Sequence, residues 1–219
     1  MLLTNMASSS LDNNDDDFCL KCISNNMHGF FQGSPALTDI ITQYIPDVIL
    51  LQEHWLTPAN LYLFDNHFTD YFTFGSSAMS KVVESGMLRG RPFGGVAILI
   101  KNNLRTVTRS IHCCTRYAIV KVGSCLFVSV YLPCRGSTDR QLVCDDVLSE
   151  IDAWLSQYRD CTDVFAGYLN VNLDSSDQVV DSVYKLISQH GLVLGIETNP
   201  GTRVTRTFCQ TQNPGLGIC

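Results

Sequence analysis

Almost no positive charge precedes residue 81: Lys21 is the one cation among the first 80 residues, against nine acids. No basic import tract is visible, and the overall net charge of −6 argues at first sight against a polyanionic partner. Long apolar runs are lacking too. The longest, Phe93 to Ile100, falls far below what a bilayer requires, so no transmembrane helix and no membrane partner are expected. The opening MLLTNMASSS has neither a basic leader nor a sustained apolar stretch, which argues against a secretory signal and for an intracellular location, nuclear or cytoplasmic. Cys19 and Cys22 form a CxxC that no second pair answers, so a structural zinc site is not expected. The ten cysteines read instead as reduced thiols, because 219 residues can build a core without staples.

The composition is that of one globular domain: 45% hydrophobic and 16% charged residues, with short, regularly punctuated apolar runs. The cations missing early are concentrated from Lys81 to Arg135, nine against the single acid Glu84. That stretch reads either as a basic face opposed to phosphates or as an ordinary solvated hairpin region. Residues 1–17 are polar and predict an unstructured acidic lead-in. Strands are predicted over Phe18–Ser24, Asp47–Gln52, Phe93–Ile100, Arg105–Ile111, Arg116–Val122, Cys125–Pro133 and Asp163–Tyr168. A helix should start with Ser34 as its cap and Pro35 in its first turn, and end at Pro46. A second spans Asp139 to Tyr158, with Val143, Val147, Ile151, Trp154 and Tyr158 on one stripe and Asp139 as cap. A third runs from Gln178 to His190 and stops at Gly191. Strands interleaved with covering helices predict an α/β sandwich with sheets inside.

Rigid strands deliver side chains into clefts with little freedom, so polar groups at strand ends are the candidates for chemistry. Four stand out: Asn26 in NMHG, Glu53 in LLQEHW, Tyr131 in VYLP and Asn170 in AGYLNVNL. Taken singly, a Glu after an apolar strand is usually just solvated, and a lone Tyr or Asn is usually a turn or rim residue.

Taken together, their order and strand contexts resemble the endonuclease/exonuclease/phosphatase superfamily, over about Phe18 to Arg206. Its N-x-x-G corresponds to Asn26–Gly29, its Q-E to Gln52 and Glu53, its G-G-V-A-I-L to Gly94–Leu99 and its Y-x-P to Tyr131–Pro133. Its G-D-[LF]-N corresponds to Gly167–Asn170 except at one position. Within the superfamily, PDVILLQEHWL and the GTRVTR at Gly201–Arg206 look most like the endonuclease domain of non-LTR retrotransposons. The resemblance implies a four-layer αββα sandwich and a Mg²⁺-dependent (or Mn²⁺-dependent) phosphodiester hydrolase that nicks DNA, as a monomer. Glu53 and Asn26 would hold the metal, and Tyr131 and Asn170 would bind and orient the phosphate. His28 and Trp55 stand near these motifs, either touching nucleic acid or packing at the rim.

Two departures bear on activity. Tyr168 occupies the family's Asp position and is not expected to replace a carboxylate base; Asp174, four residues beyond Asn170, lies outside the motif. No S-D-H occurs in the sequence, and His190 precedes a helix-ending glycine and reads as structural. The resemblance stops near Arg206, so the expectation is a domain over 18–206 lacking its last strands, a divergent tail over 207–219, and an unpaired sheet edge. Activity is expected to be impaired. The alternatives are a non-catalytic remnant that binds nucleic acid, and a small-phosphoester phosphatase of the same fold.

Overall fold

A computed structural model of the chain describes residues 2–8, 18–86, 92–195 and 207–210. Two mixed sheets lie face to face between helices. The first contains β1 (Leu2–Ser8), β2 (Phe18–Asn26), β3 (Val48–Gln52), β4 (Tyr71–Ser76) and β5 (Val96–Lys101), in the order β1-β2-β3-β5-β4. The second contains β6 (Thr108–Cys113), β7 (Tyr117–Val122), β8 (Cys125–Tyr131), β9 (Thr162–Tyr168), β10 (Leu192–Gly195) and β11 (Thr207–Gln210), in the order β10-β11-β9-β8-β7-β6.

The apolar runs are continuous because these strands are buried on both faces. Val48, Leu50, Ile98 and Ile100 of the first sheet meet Val120, Phe127, Val164 and Ala166 of the second. The alternate residues Ile49, Leu51, Ala97 and Leu99 face α1 (Phe30–Tyr44) and α2 (Leu63–His67), together with Phe30, Leu37 and Phe64. Ile119, Leu126, Val128 and Phe165 face α4 (Arg140–Gln157) and α5 (Gln178–Gln189). A short α3 (Ser80–Glu84) follows β4. The architecture is therefore the αββα sandwich.

Each sheet has one parallel pair, joined by a long helix. β2 and β3 pair in parallel around α1, and β8 and β9 around α4. Both pairs end at the same end of the sandwich, which is where the candidate side chains emerge.

Several elements differ from expectation. α1 starts at Phe30 and not at Ser34, with Pro35 as its sixth residue. The cause lies in the loops: the Gly29 and Phe30 N–H groups donate to the Glu53 and His54 carbonyls, so the helix is anchored as soon as β2 ends. Asp139 precedes α4 but has left-handed backbone (φ 52°) and makes no capping bond, whereas Asp177 caps α5 by accepting from the Val179 N–H. The buried face of α4 is Cys144, Val147, Leu148, Ile151 and Leu155; Val143, Trp154 and Tyr158 of the expected stripe lie at its margin. Residues 102–107 form a 3-10 turn in place of the start of a strand. The lead-in contributes β1, antiparallel to β2, where no structure was expected. At the other end, β11 pairs with β9, so that edge is not bare as predicted: pairing satisfies backbone groups that would otherwise be exposed. Residues 9–17 and 211–219, and the GTRVTR segment, lie outside the described residues. Cys125, Cys144 and Cys161 are buried thiols, raised by burial.

Candidate active site at the paired strand ends

Beyond Gln52 the chain turns sharply, and Glu53 and Trp55 take left-handed backbone (φ 55° and 56°). Their N–H groups donate to Gly95 and Gly94, which hold the turn open. Gly95 must lack a side chain: a Cβ there would sit 2.3 Å from the His54 ring. His54 is fully buried; its Nδ1 accepts from the Leu56 N–H and its Nε2 donates to the Ser76 carbonyl. Burial lowers its pKa to about 4, so the ring is a neutral brace under the loop.

Glu53 is thereby carried into the cleft with 9% exposure. Tyr131, at the end of β8, lies beside it; burial first and the Glu53 charge second push that phenol up to about 12. His28 Nδ1 lies 3.4 Å from Glu53 Oε2, with a 63% exposed side chain at the mouth. Asn26 is tied in through the loop: its Oδ1 accepts from the His28 N–H at 3.0 Å, and its buried Nδ2 has no acceptor among the described residues. Trp55 packs over the backbone of Gly29, where a Cβ would meet the indole at 2.6 Å.

From the second sheet, Asn170 has left-handed backbone (φ 53°), a conformation Asn tolerates better than most residues. Its Nδ2 donates to the Leu132 carbonyl at 2.7 Å, next to Tyr131. Tyr168 stands in register with Tyr131 on the parallel strands, its ring 6.3 Å away and within 10° of parallel. Asp174 is an exposed member of the turn over 172–175. Of six non-glycine residues with left-handed backbone among those described, His28, Glu53, Trp55 and Asn170 lie at this one site. Such strain, about 1–3 kcal/mol for each residue, persists only where the surroundings over-determine it.

Three features were given no role by the sequence, although Gln52 belongs to the Q-E motif. Gln52, fully buried, donates through Nε2 to Ser129 Oγ (3.0 Å) and Ser24 Oγ (3.3 Å), joining the two sheets beneath Glu53. Arg140 donates to the Pro133 carbonyl, to the Asn170 carbonyl and, through Nη1, to both oxygens of Asp177. Burial pushes Asp177 up, but the Val179 N–H and Arg140 outweigh it and hold the carboxyl below its usual range. A cation in a helix's first turn opposes the helix dipole, and that oddity was the available signal for Arg140. His54 is the third. The basic stretch does not form one face: Arg116 and Arg135 lie at the site end, while Lys101 and Lys121 engage Asp47 and the Gly123 carbonyl at the other.

Residues 26–165, well over half the chain, match the model of the Endonuclease/Exonuclease/phosphatase family. The chain belongs to this family. Similar solved structures agree on the fold. A 3′ phosphatase, NExo, from Neisseria, bound to a product DNA hairpin, is 11% identical with a TM-score of 0.61, over 87% of this chain and 86% of that one. An AP endonuclease from Archaeoglobus fulgidus is 15% identical with a TM-score of 0.61, over 87% and 86%. TDP2 from D. rerio, complexed with single-strand DNA product, is 19% identical with a TM-score of 0.56, over 88% and 84%. No curated protein matches the chain in sequence.

The donor set bears on a metal. Among the described residues no three His, Cys, Asp or Glu side chains gather around one point. Glu53 is a lone buried carboxylate whose nearest basic group is His28, and Asn26 Oδ1 keeps one lone pair. That set fits a hard cation that takes one carboxylate and completes its shell with waters and substrate phosphate, as Mg²⁺ or Mn²⁺ does. It does not fit a cation needing an all-protein cage.

Proposed function

We propose that this chain is a phosphodiesterase of the retrotransposon-endonuclease type, built to nick DNA, in which Tyr168 lowers the rate of hydrolysis. The observation that carries the reading is the convergence on one cleft of Glu53 and Asn26 from one parallel pair with Tyr131 and Asn170 from the other. A Mg²⁺ or Mn²⁺ ion held at Glu53 with Asn26 would supply charge stabilisation to a scissile phosphate. Tyr131, kept protonated, donates toward a phosphoryl oxygen once Glu53 is otherwise engaged. The Nδ2 of Asn26 is a second donor in want of an acceptor. Asn170 is fixed by the Leu132 carbonyl and by Arg140 behind its own carbonyl, which holds it for orienting the phosphate. Position 168 carries a phenol and not a carboxylate, so no carboxylate base stands there to activate water.

A second reading, a non-catalytic remnant that binds nucleic acid, is favoured by that same Tyr168. Supercoiled plasmid with Mg²⁺ separates the two. The wild type should nick slowly, Tyr168→Asp faster, and Glu53→Gln in the Tyr168→Asp background should stop it. Salt-sensitive retention of DNA without nicking by any form would establish the second reading. Nicking that survives Glu53→Gln would remove Glu53 from the site.

A further inference from the structure

Arg116, Tyr131 and Tyr168 form a row across the ends of three adjacent strands. The Tyr131 N–H donates to the Arg116 carbonyl at 2.8 Å, and Tyr131 is the Cα partner of Tyr168. The guanidinium lies over the Tyr131 ring, 5.6 Å from its centroid, and the phenol rings are parallel to within 10°. All three side chains are partly exposed, and the row borders the cleft into which Glu53 projects.

Packing does not account for Tyr168. Tyr131 is packed against the core between the sheets, but Tyr168 belongs to none of the three apolar clusters among the described residues. Nor does the hydrolytic chemistry use it. A partly exposed aromatic ring, parallel to a second ring and continued by a guanidinium, is instead the arrangement on which unpaired bases stack, because every base presents a π face.

We propose that the Tyr131–Tyr168 ring pair is a stacking site for an unpaired nucleobase. The inference rests on the nucleic-acid reading and deepens it: the favoured substrate is single-stranded or locally unpaired, with one base on the rings and its phosphate toward Glu53. Tyr168 then substitutes base affinity for the carboxylate's role in activating water.

The test is fluorescence anisotropy with a short labelled single-stranded oligonucleotide and with the same backbone carrying abasic sugars at every position. Wild type should prefer the base-bearing strand by roughly 10-fold, the scale of one base–aromatic stack. Tyr168→Leu should lose that preference, and Tyr168→Phe, which keeps the ring, should retain it; circular dichroism checks that both variants fold. A free mononucleotide competing as well as the strand would assign the site to nucleotides while upholding base stacking. Equal wild-type affinity for both strands would overturn the proposal and leave the nucleic-acid reading standing. Binding of neither strand at low salt would overturn the proposal, and the plasmid assay would then decide the nucleic-acid reading by itself.

Discussion

The molecule contains two versions of one device, a parallel strand pair joined by a helix: β2–α1–β3 and β8–α4–β9. In the first, the surroundings lock the polar groups at the strand ends. Glu53 is held in left-handed backbone by Gly94 and Gly95 and braced by a neutral His54. In the second, a phenol, Tyr168, stands at the strand end where the sequence resemblance leads one to expect a carboxylate. Gly167 lies against the Val130 carbonyl, and the Leu132 N–H donates to the Tyr168 carbonyl at 3.0 Å. A scaffold set by strand register tolerates such a side chain because register depends on backbone pairing and on small residues at close approaches, and not on the side chain projecting into the cleft.

The largest test of the comparison restores the second device. Tyr168→Asp should raise plasmid nicking about 10²- to 10⁴-fold, the usual contribution of a general base. A gain below about tenfold would mean that the two devices differ by more than this side chain. Next is the scaffold itself: in Gly167→Ala the new Cβ would stand 2.0 Å from the Val130 carbonyl oxygen, so β8 and β9 must part. The expected loss is about 3 kcal/mol or more, read as a fall in the urea midpoint. Arg140→Ala should cost about 2 kcal/mol, because Asp177 and the Pro133 and Asn170 carbonyls lose a shared donor. Arg140→Lys should rescue little of this, since one ammonium cannot reproduce the planar fork.

The smallest net effect concerns pH. His54, lowered to about 4 from 6.5, contributes stability that is complete above pH 6.5 and is lost as pH falls toward 4, because the unfolded chain takes up the proton first. Asp163 at the start of β9 does the opposite. Burial raises it to about 7 from 3.8, and its Oδ1 has no hydrogen-bond partner among the described residues. Its contribution is complete below pH 3.8 and is lost as pH rises toward 7. Between about pH 4 and 6.5 the two slopes, each about 1.4 kcal/mol per pH unit, oppose one another. Wild-type stability should be nearly flat there as far as these groups go. His54→Gln should expose a fall with rising pH in urea melts at pH 5 and 6, and an unchanged slope would show that His54 is charged in the folded protein.

Much of the architecture was legible because buried strands leave a local mark: Val48–Leu51 and Val96–Ile100 are uninterrupted apolar runs, and a polar residue directly after one is easy to see. The start of α1 was not, because Ser34 and Pro35 imitate a helix opening that the Gly29 and Phe30 bonds to the neighbouring loop override. β1 and β11 were missed for a related reason. Their strand character comes from the partners they pair with rather than from their own pattern: β1 lies at an edge against β2, and β11 lies between β9 and β10.

By itself, the sequence determined which groups stand at strand ends, since that follows from chemistry a few residues long: Asn26, Glu53, Tyr131, Tyr168 and Asn170 each close an apolar segment. Only the tertiary structure decided which of them touch. Glu53 meets Tyr131, Asn170 is fixed beside it, and Tyr168 lies parallel to Tyr131 because two sheets pack face to face with their parallel pairs ending together, a relation between segments that no local pattern encodes.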